Sequence, residues 1–448
     1  MTEHALPAPR RLAVASILSL VTLTGTALAQ EPAREPLRLD RWLGTPDYLK
    51  VSGSHRTRYE SLNGQFRNNT ALRNNEDQLF NRSILRVDYS RSEFGGTVEG
   101  IDARAFNTKD NSFANTTTVN TLDLLQANAS YAFGDGHKVT VGRYTMDIGS
   151  RRLSARNKYR NTINSFNGVR WDYKNDDSGY KAGAFWNMPT LRRPSNRAML
   201  VDNEHDFDTQ TIDLQFFGAH ATTNIDENAT LQVYLLGLDD DRGADQQLWT
   251  AGLRYYRPSQ PGQVFGELEA AYQIGDRGSQ DVEAHFLHAS VGYTGEGDLQ
   301  PSVRVAFDLA TGNDGESGDY TRFNTLFGAR RFEYGPTGIY GAIGRRNIIS
   351  PEIRFSIRPT DDTWIMVAYR DLRLESGQDS WVEAGDSTGQ GRRVGSQTEC
   401  RLRWDMCKRN VRFETGAAYL AGGRFRETSA AGRRPDTHYF FFETIFTF

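Results

Sequence analysis

From residue 49 to its last residue the chain consists of runs of about 9 to 13 residues in which apolar and polar side chains alternate. Alternation of period two belongs to a strand with one dry and one wet face. A run of roughly 9 to 11 tilted residues is also what crosses a bilayer as a strand. In 248–256, Trp249, Ala251, Leu253 and Tyr255 oppose Thr250, Gly252 and Arg254. Residues 301–309 set Val303, Val305, Phe307 and Leu309 against Ser302, Arg304, Ala306 and Asp308. The same pattern fills 352–358 and, with Ile212, Leu214 and Phe216 on one face, 209–220. A soluble sandwich alternates too, so the connections decide.

Those connections are short and long by turns. Short ones, most of them rich in Gly, Pro, Asp and Asn as tight turns require, lie at 90–93, 134–136, 175–178, 225–228, 258–262, 295–298, 359–362 and 407–410. Between them run long polar segments at 61–76, 107–117, 148–165, 188–207, 312–346, 375–394 and 421–437. Short turns at one end and long loops at the other are the plan of an outer-membrane barrel. The pattern predicts an all-β fold, one closed antiparallel barrel of about 18 strands, with both termini at the periplasmic end. The last strand agrees: Phe440, Phe442, Phe446 and Phe448 share a face and the chain ends on Phe448. That is the form the barrel-assembly machinery receives, and outer-membrane lipid and that machinery are the expected partners. A barrel of this width closes its own edges, so a monomer is expected; no nucleic-acid partner is.

The N-terminus fits export. Arg10 and Arg11 precede the apolar run 12–23, too short for a membrane span, and Ala27-Leu28-Ala29 forms a small-residue cleavage site. Residues 1–29 are therefore expected to be a signal peptide and 30–448 the barrel. Beyond the leader no window of 18 or more apolar residues occurs, which excludes a helical membrane protein. Mean hydropathy is -0.61, compatible with a barrel in which only alternate residues meet lipid. Cys400 and Cys407, seven residues apart on one extended segment, are expected to be unpaired thiols.

A wide barrel encloses a lumen, and its wet face carries the function. Positive charge here is arginine: 46 Arg against seven Lys. Arginines on the expected water-facing parity include Arg86, Arg104, Arg170, Arg254, Arg304, Arg354, Arg370, Arg401, Arg403 and Arg412, interleaved with carboxylates such as Asp88, Asp102, Asp213, Glu267, Glu352 and Glu414. Rings of arginine select anions, and the guanidinium fork matches a carboxylate. The plainer role of any one such arginine is to pair across neighbouring strands and stiffen the wall. No catalytic constellation is read. A rim Ser/His pair is not singled out, with His285 and Ser290 kept only as a formal alternative. No metal-ligand spacing occurs among the eight His. Cofactors are expected to be absent; the acidic runs 239–241 and 313–316 could hold Ca²⁺ in extracellular loops, though acidic surface loops are more often simply solvated.

Val141-Gly142-Arg143 followed by Gly149, Arg152-Leu153, Arg156-Asn157, Asn161 and Phe166-Asn167-Gly168-Val169-Arg170 resembles the alginate-export family of outer-membrane barrels. Weaker matches are Asp102-Ala103-Arg104, 122–127, Phe323-Asn324 with Tyr334-Gly335, and 350–361. Asn167 departs from the family's Asp, which removes a loop carboxylate. The resemblance implies an eighteen-stranded passive channel for an anionic polysaccharide or its oligomers, alginate-like uronates, with an arginine-lined constriction. A porin for small anions or organic acids is the alternative. By position the implied substrate-binding residues are Arg104, Arg143, Arg152, Arg156, Arg170 and Arg354, with Asp102 and Glu352 orienting them. The turn at 407–410 is too short to plug the periplasmic mouth, so a plug would come from 148–165 or 312–346.

Overall fold

The computed structural model describes residues 36–65, 75–243, 245–315, 318–335, 343–381, 388–429 and 436–448. The leader expected at 1–29 lies outside the described residues, as does Glu316 of the second acidic run. Eighteen strands follow in order: β1 Leu49–Asn63, β2 Asn75–Arg91, β3 Phe94–Phe106, β4 Asn120–Phe133, β5 His137–Tyr144, β6 Phe166–Lys174, β7 Lys181–Pro189, β8 Leu214–Asp226 and β9 Ala229–Asp240. The second half comprises β10 Gln246–Arg257, β11 Gln263–Arg277, β12 Gln280–Thr294, β13 Ser302–Ala310, β14 Ile348–Thr360, β15 Thr363–Arg373, β16 Arg393–Met406, β17 Val411–Gly422 and β18 Thr437–Thr447.

Each strand pairs antiparallel with its neighbours in sequence, and β18 pairs back onto β1 from Ser54↔Thr447 to Asn63↔His438. The sheet is therefore a closed barrel without an edge. An even strand number returns the C-terminus to the end where β1 begins. There Phe448 and Gly53 exchange both backbone hydrogen bonds, at 2.9 and 3.1 Å. Gly53 is required at this closure, since a Cβ would lie 2.5 Å from the Phe448 ring. Asn410 accepts from the Leu37 N–H at 2.7 Å, tying the segment before β1 to the same end.

All eight short turns fall where the sequence predicts them, because turn chemistry is local. The long connections agree less evenly. Those after β9 and β11 span only 241–245 and 278–279. The strand expected over 209–220 begins at Leu214; Thr209 instead makes an isolated bridge to Leu191 within the β7–β8 loop.

Side chains on the outward parity are apolar and exposed, among them Leu85, Val98, Val141, Leu253, Val305, Phe355 and Val367. In β18, Phe440, Phe442 and Phe446 face out while Tyr439, Phe441 and Glu443 are buried inside. A chain of rings marks the periplasmic boundary: Phe94–Tyr131 at 5.1 Å, Phe133–His137 at 5.5 Å, His137–Tyr173 at 4.6 Å and Tyr173–Tyr180 at 6.0 Å. Such aromatic girdles sit at the membrane–water interface. Both cysteines are free; Cys400 shares the outward parity of β16, and Cys407 lies in the turn after it.

The interior is packed. The β5–β6 loop (145–165) and the described parts of the β13–β14 loop (311–315, 318–335 and 343–347) turn into the lumen and bind each other as a short parallel ladder, Ser154↔Phe327. Phe327 donates to the Leu153 carbonyl at 2.9 Å, Ala155 donates to the Phe327 carbonyl at 3.2 Å, and Ala329 to that of Arg151 at 2.9 Å. Around this ladder Phe166, Phe216, Phe286, Phe323, Tyr334, Ile343 and Phe441 form a buried apolar cluster that joins loops to wall.

Candidate functional site

The polar centre of the inward loops is Arg152, at 2 % side-chain exposure. Its guanidinium meets Glu267 at 2.7 Å and Glu269 at 2.6 Å, both from β11, and Glu333 at 2.5 Å from the short helix Arg331–Tyr334. Burial opposes the charge of Arg152, but Glu333, Glu269 and Glu267 together outweigh it and raise its pKa well above the usual value. Arg345 completes the knot: it donates to the backbone carbonyls of Arg152 and Ala329 at 2.9 and 2.6 Å and pairs with Glu333. One loop is thus clamped to the other and to the wall by charge-assisted bonds.

A second anchor holds the other flank of the 145–165 loop. Arg56 donates to the carbonyls of Tyr159 and Arg160 at 3.0 and 3.1 Å, and Arg82 to those of Lys158 and Arg160, both at 2.8 Å. Tyr159 is flanked by Arg331 at 3.7 Å and Arg58 at 4.0 Å from its ring centre. Burial raises the pKa of the Tyr159 hydroxyl, so it stays a neutral hydrogen-bonding group.

Below the loops, toward the periplasmic turns, lies a vestibule of about 250 Å³. Arg304, Arg354 and Arg358 line it together with Phe265, Trp364 and the hydroxyls of Ser259, Thr294, Ser302 and Ser356. Glu352, buried behind it, accepts from Arg304 at 2.6 Å and Arg354 at 3.1 Å and pairs with Arg370. Arg401 and Arg403 both stand 5.5 Å from the Trp364 ring. Cations, flat rings and hydroxyls facing one cavity can hold a carboxylated, ring-shaped solute by bidentate bonds and stacking.

The eight residues chosen from sequence divide. Arg152, Arg156, Arg170, Arg354 and Glu352 point into the barrel; Arg156 chelates Glu99 at 2.6 and 3.0 Å, and Arg170 bonds Asp172 at 2.8 Å. Arg104, Asp102 and Arg143 do not. Asp102 and Arg104 pair across β2 with Ser83 and Asn81, on the outward parity of Val98 and Phe106, and bond each other at 3.0 Å. Arg143 shares the outward parity of Val141 and sits opposite Ala127 and Asn167. The physical reason is shared. On these strands the inward side is dry, because Ile163 of the 145–165 loop packs on Ile101 and the Tyr144 side chain joins the buried luminal cluster. Polar-means-lumen fails wherever a plug replaces water.

Asp213 precedes β8 and lies on no strand. His285 and Ser290, five apart on β12, fall on opposite faces of the wall and form no pair. In the run 239–241 Asp240 already holds Arg242, at 2.8 and 3.0 Å. Among the described residues His288, Asp308 and Glu333 bring ligand atoms within 4.8 Å of one another. Arg152 and Arg345 occupy the Glu333 carboxylate and His288 bonds Asp308 at 2.7 Å, so an ion-pair network uses these ligand atoms. Sequence reasoning missed Trp364, Arg331, Glu333, Arg345 and Tyr159. The parity of Trp364, opposite to Val367 and Tyr369, carried the information for the first; nothing local marked the loop residues.

The family model described as "Alginate export" matches residues 47–437. No curated protein matches the sequence. In structure the chain is similar to Pseudomonas aeruginosa OpdL (TM-score 0.61, 13% identity, 89% of this chain and 98% of that one). It is similar to the outer membrane protein OpdK of the same organism (TM-score 0.61, 12% identity, 89% and 99%). The structure of OpdK with vanillate matches equally (TM-score 0.60, 13% identity, 89% and 99%). At these identities the likeness is one of fold, that of an outer-membrane barrel.

Proposed function

The chain belongs to the alginate-export family and is an outer-membrane channel protein, and from that premise we propose that it passes anionic saccharides, alginate-like uronate oligomers, through an arginine-lined lumen. The observation that carries this reading is the vestibule, where Arg304 and Arg354 share a cavity with Trp364 and Phe265. Guanidinium groups fit the uronate carboxylate bidentately, and aromatic faces fit a sugar ring. The arginines are balanced by carboxylates such as Glu352 and Glu414, which keeps attraction moderate. Moderate attraction at several sites suits conduction, because one very tight site would halt it.

Uptake of small aromatic or aliphatic carboxylates is the second reading. The two loops bridged to each other inside the lumen favour it, and a structure of OpdK holds vanillate. Reversal potential in a planar bilayer under a KCl gradient, with and without oligouronate, tests the proposal. Anion selectivity suppressed by oligouronate and weakened by Arg304→Ala and Arg354→Ala supports it. Cation selectivity, or conductance indifferent to uronates, refutes the arginine-lined path. Block by vanillate-sized carboxylates but not by oligouronate supports the second reading instead.

A further inference from the structure

We propose that a cleft on the membrane-facing wall, formed by β4–β7 and the loop segment 203–213, binds an acyl chain of an outer-leaflet lipid. The cleft holds about 660 Å³ and is lined by Leu124, Val141, Val169, Trp186, Met188 and Phe207, with Arg143 among its polar members. It is continuous with the lipid-facing surface: Val141 and Val169 belong to the same outward row as the girdle residues His137 and Tyr173.

Depth follows from the register. His137 lies in the periplasmic girdle and Arg143 six residues farther along β5. Six residues span about 20 Å of strand, or about 15 Å along the membrane normal at the usual tilt, in an apolar band about 25 Å tall. Val141 and Val169, two residues lower, lie at about 10 Å, so the cleft starts near the middle of the band and rises past Arg143 into the outer-leaflet half. It exists because the wall is low there: β5, β6 and β7 have only 8, 9 and 9 residues against 14 in β4. The 203–213 segment closes one side, presenting Phe207 at 67 % exposure. An aromatic so exposed beside this wall meets hydrocarbon.

Arg143 defines the chemistry of the occupant. Its side chain is only 13 % exposed and Asp123 lies 3.7 Å away, so its charge is largely compensated. Nε donates to Asn167 at 2.9 Å, Nη1 to the Leu124 carbonyl at 2.8 Å and Nη2 to Gln210 at 3.3 Å. Each nitrogen thus has a partner and Asp123 supplies the countercharge, so the site calls for an uncharged occupant. An acyl chain lying along Phe207, Val169 and Val141 meets that condition, with its ester or amide head at the outer boundary above Arg143.

Native mass spectrometry of the refolded full-length barrel, with diacyl phosphatidylethanolamine or hexa-acylated lipid A added, tests this. One lipid is expected to stay bound at activation energies that strip detergent. Val141→Trp, which fills the cleft from the strand, and Phe207→Ala, which opens it from the loop without touching the wall, should each lower retention about tenfold, as expected for losing ~1.4 kcal/mol of contact. Heat-modifiable gel mobility checks that both variants are folded. Retention of no lipid, or equal retention by folded Val141→Trp, overturns the proposal. Retention of a free fatty acid but of neither ester lipid also overturns it, and marks a carboxylate site instead.

Discussion

Replacing Arg152 by alanine should free the inward loops without dismantling the barrel wall. Arg152 stands on a loop, so no ladder hydrogen bond between strands is lost. Its side chain bonds Glu267, Glu269 and Glu333 within 2.7 Å, and the variant leaves all three carboxylates buried without their shared cation. Breaking a buried ion pair in this way costs about 3–5 kcal/mol, and the three contacts form one network whose costs do not add. Charged to the docking of the loops, that shifts the ratio of docked to undocked states by about two to four powers of ten. Single-channel recording reads the result. The variant should show additional, larger conductance levels and faster fluctuation than the wild type, while Arg152→Lys, which keeps the charge but loses the fork, should fall between. A folded Arg152→Ala barrel with the wild-type conductance level and noise would refute the view that this ion-pair knot holds the constriction.

Three further outcomes are expected. Gly328→Val should reproduce the larger conductance levels with all charges intact, because a Cβ at Gly328 would lie 1.6 Å from the Arg152 carbonyl and force the two loops apart; unchanged recordings would mean the ladder is dispensable. Asp208, on the β7–β8 loop, titrates at about 6 because burial and the neighbouring Asp123 disfavour its charge, against Asn120, the Arg193 N–H and Arg192. The native state then binds that proton more tightly than the unfolded chain, so stability falls as pH rises from the ordinary carboxylate value of 3.8 to 6 and stays lower above it, by at most about 3 kcal/mol. Asp208→Asn should accordingly raise the thermal midpoint at pH 8 and leave it unchanged near pH 3.5, and an equal shift at both would refute the assignment. Finally, a membrane-impermeant maleimide should label Cys407 only after the outer membrane is permeabilised, and Cys400 under neither condition; labelling of Cys407 on intact cells would invert the topology.

Family, strand number, the eight periplasmic turns and the outward row of apolar side chains were legible in the sequence. Turn chemistry and period-two alternation act over a few residues, so Pro359–Asp362 or Val303–Leu309 can be read without knowing what lies beside them. So could Arg152, Arg156, Arg170, Arg354 and Glu352 as inward-facing, since their neighbours are either in the family block or on cleanly alternating strands. Two things were decided only by tertiary structure. One was the partners of the inward arginines, because Arg152 meets Glu333, 181 residues away. The other was which face of the wall is wet. On β3 and β5 the inward side is dried by Ile163 and the cluster around Tyr144, so Asp102, Arg104 and Arg143 turn outward although they look water-facing in sequence. Alternation distinguishes one face of a strand from the other; only the packing of distant loops determines what each face meets.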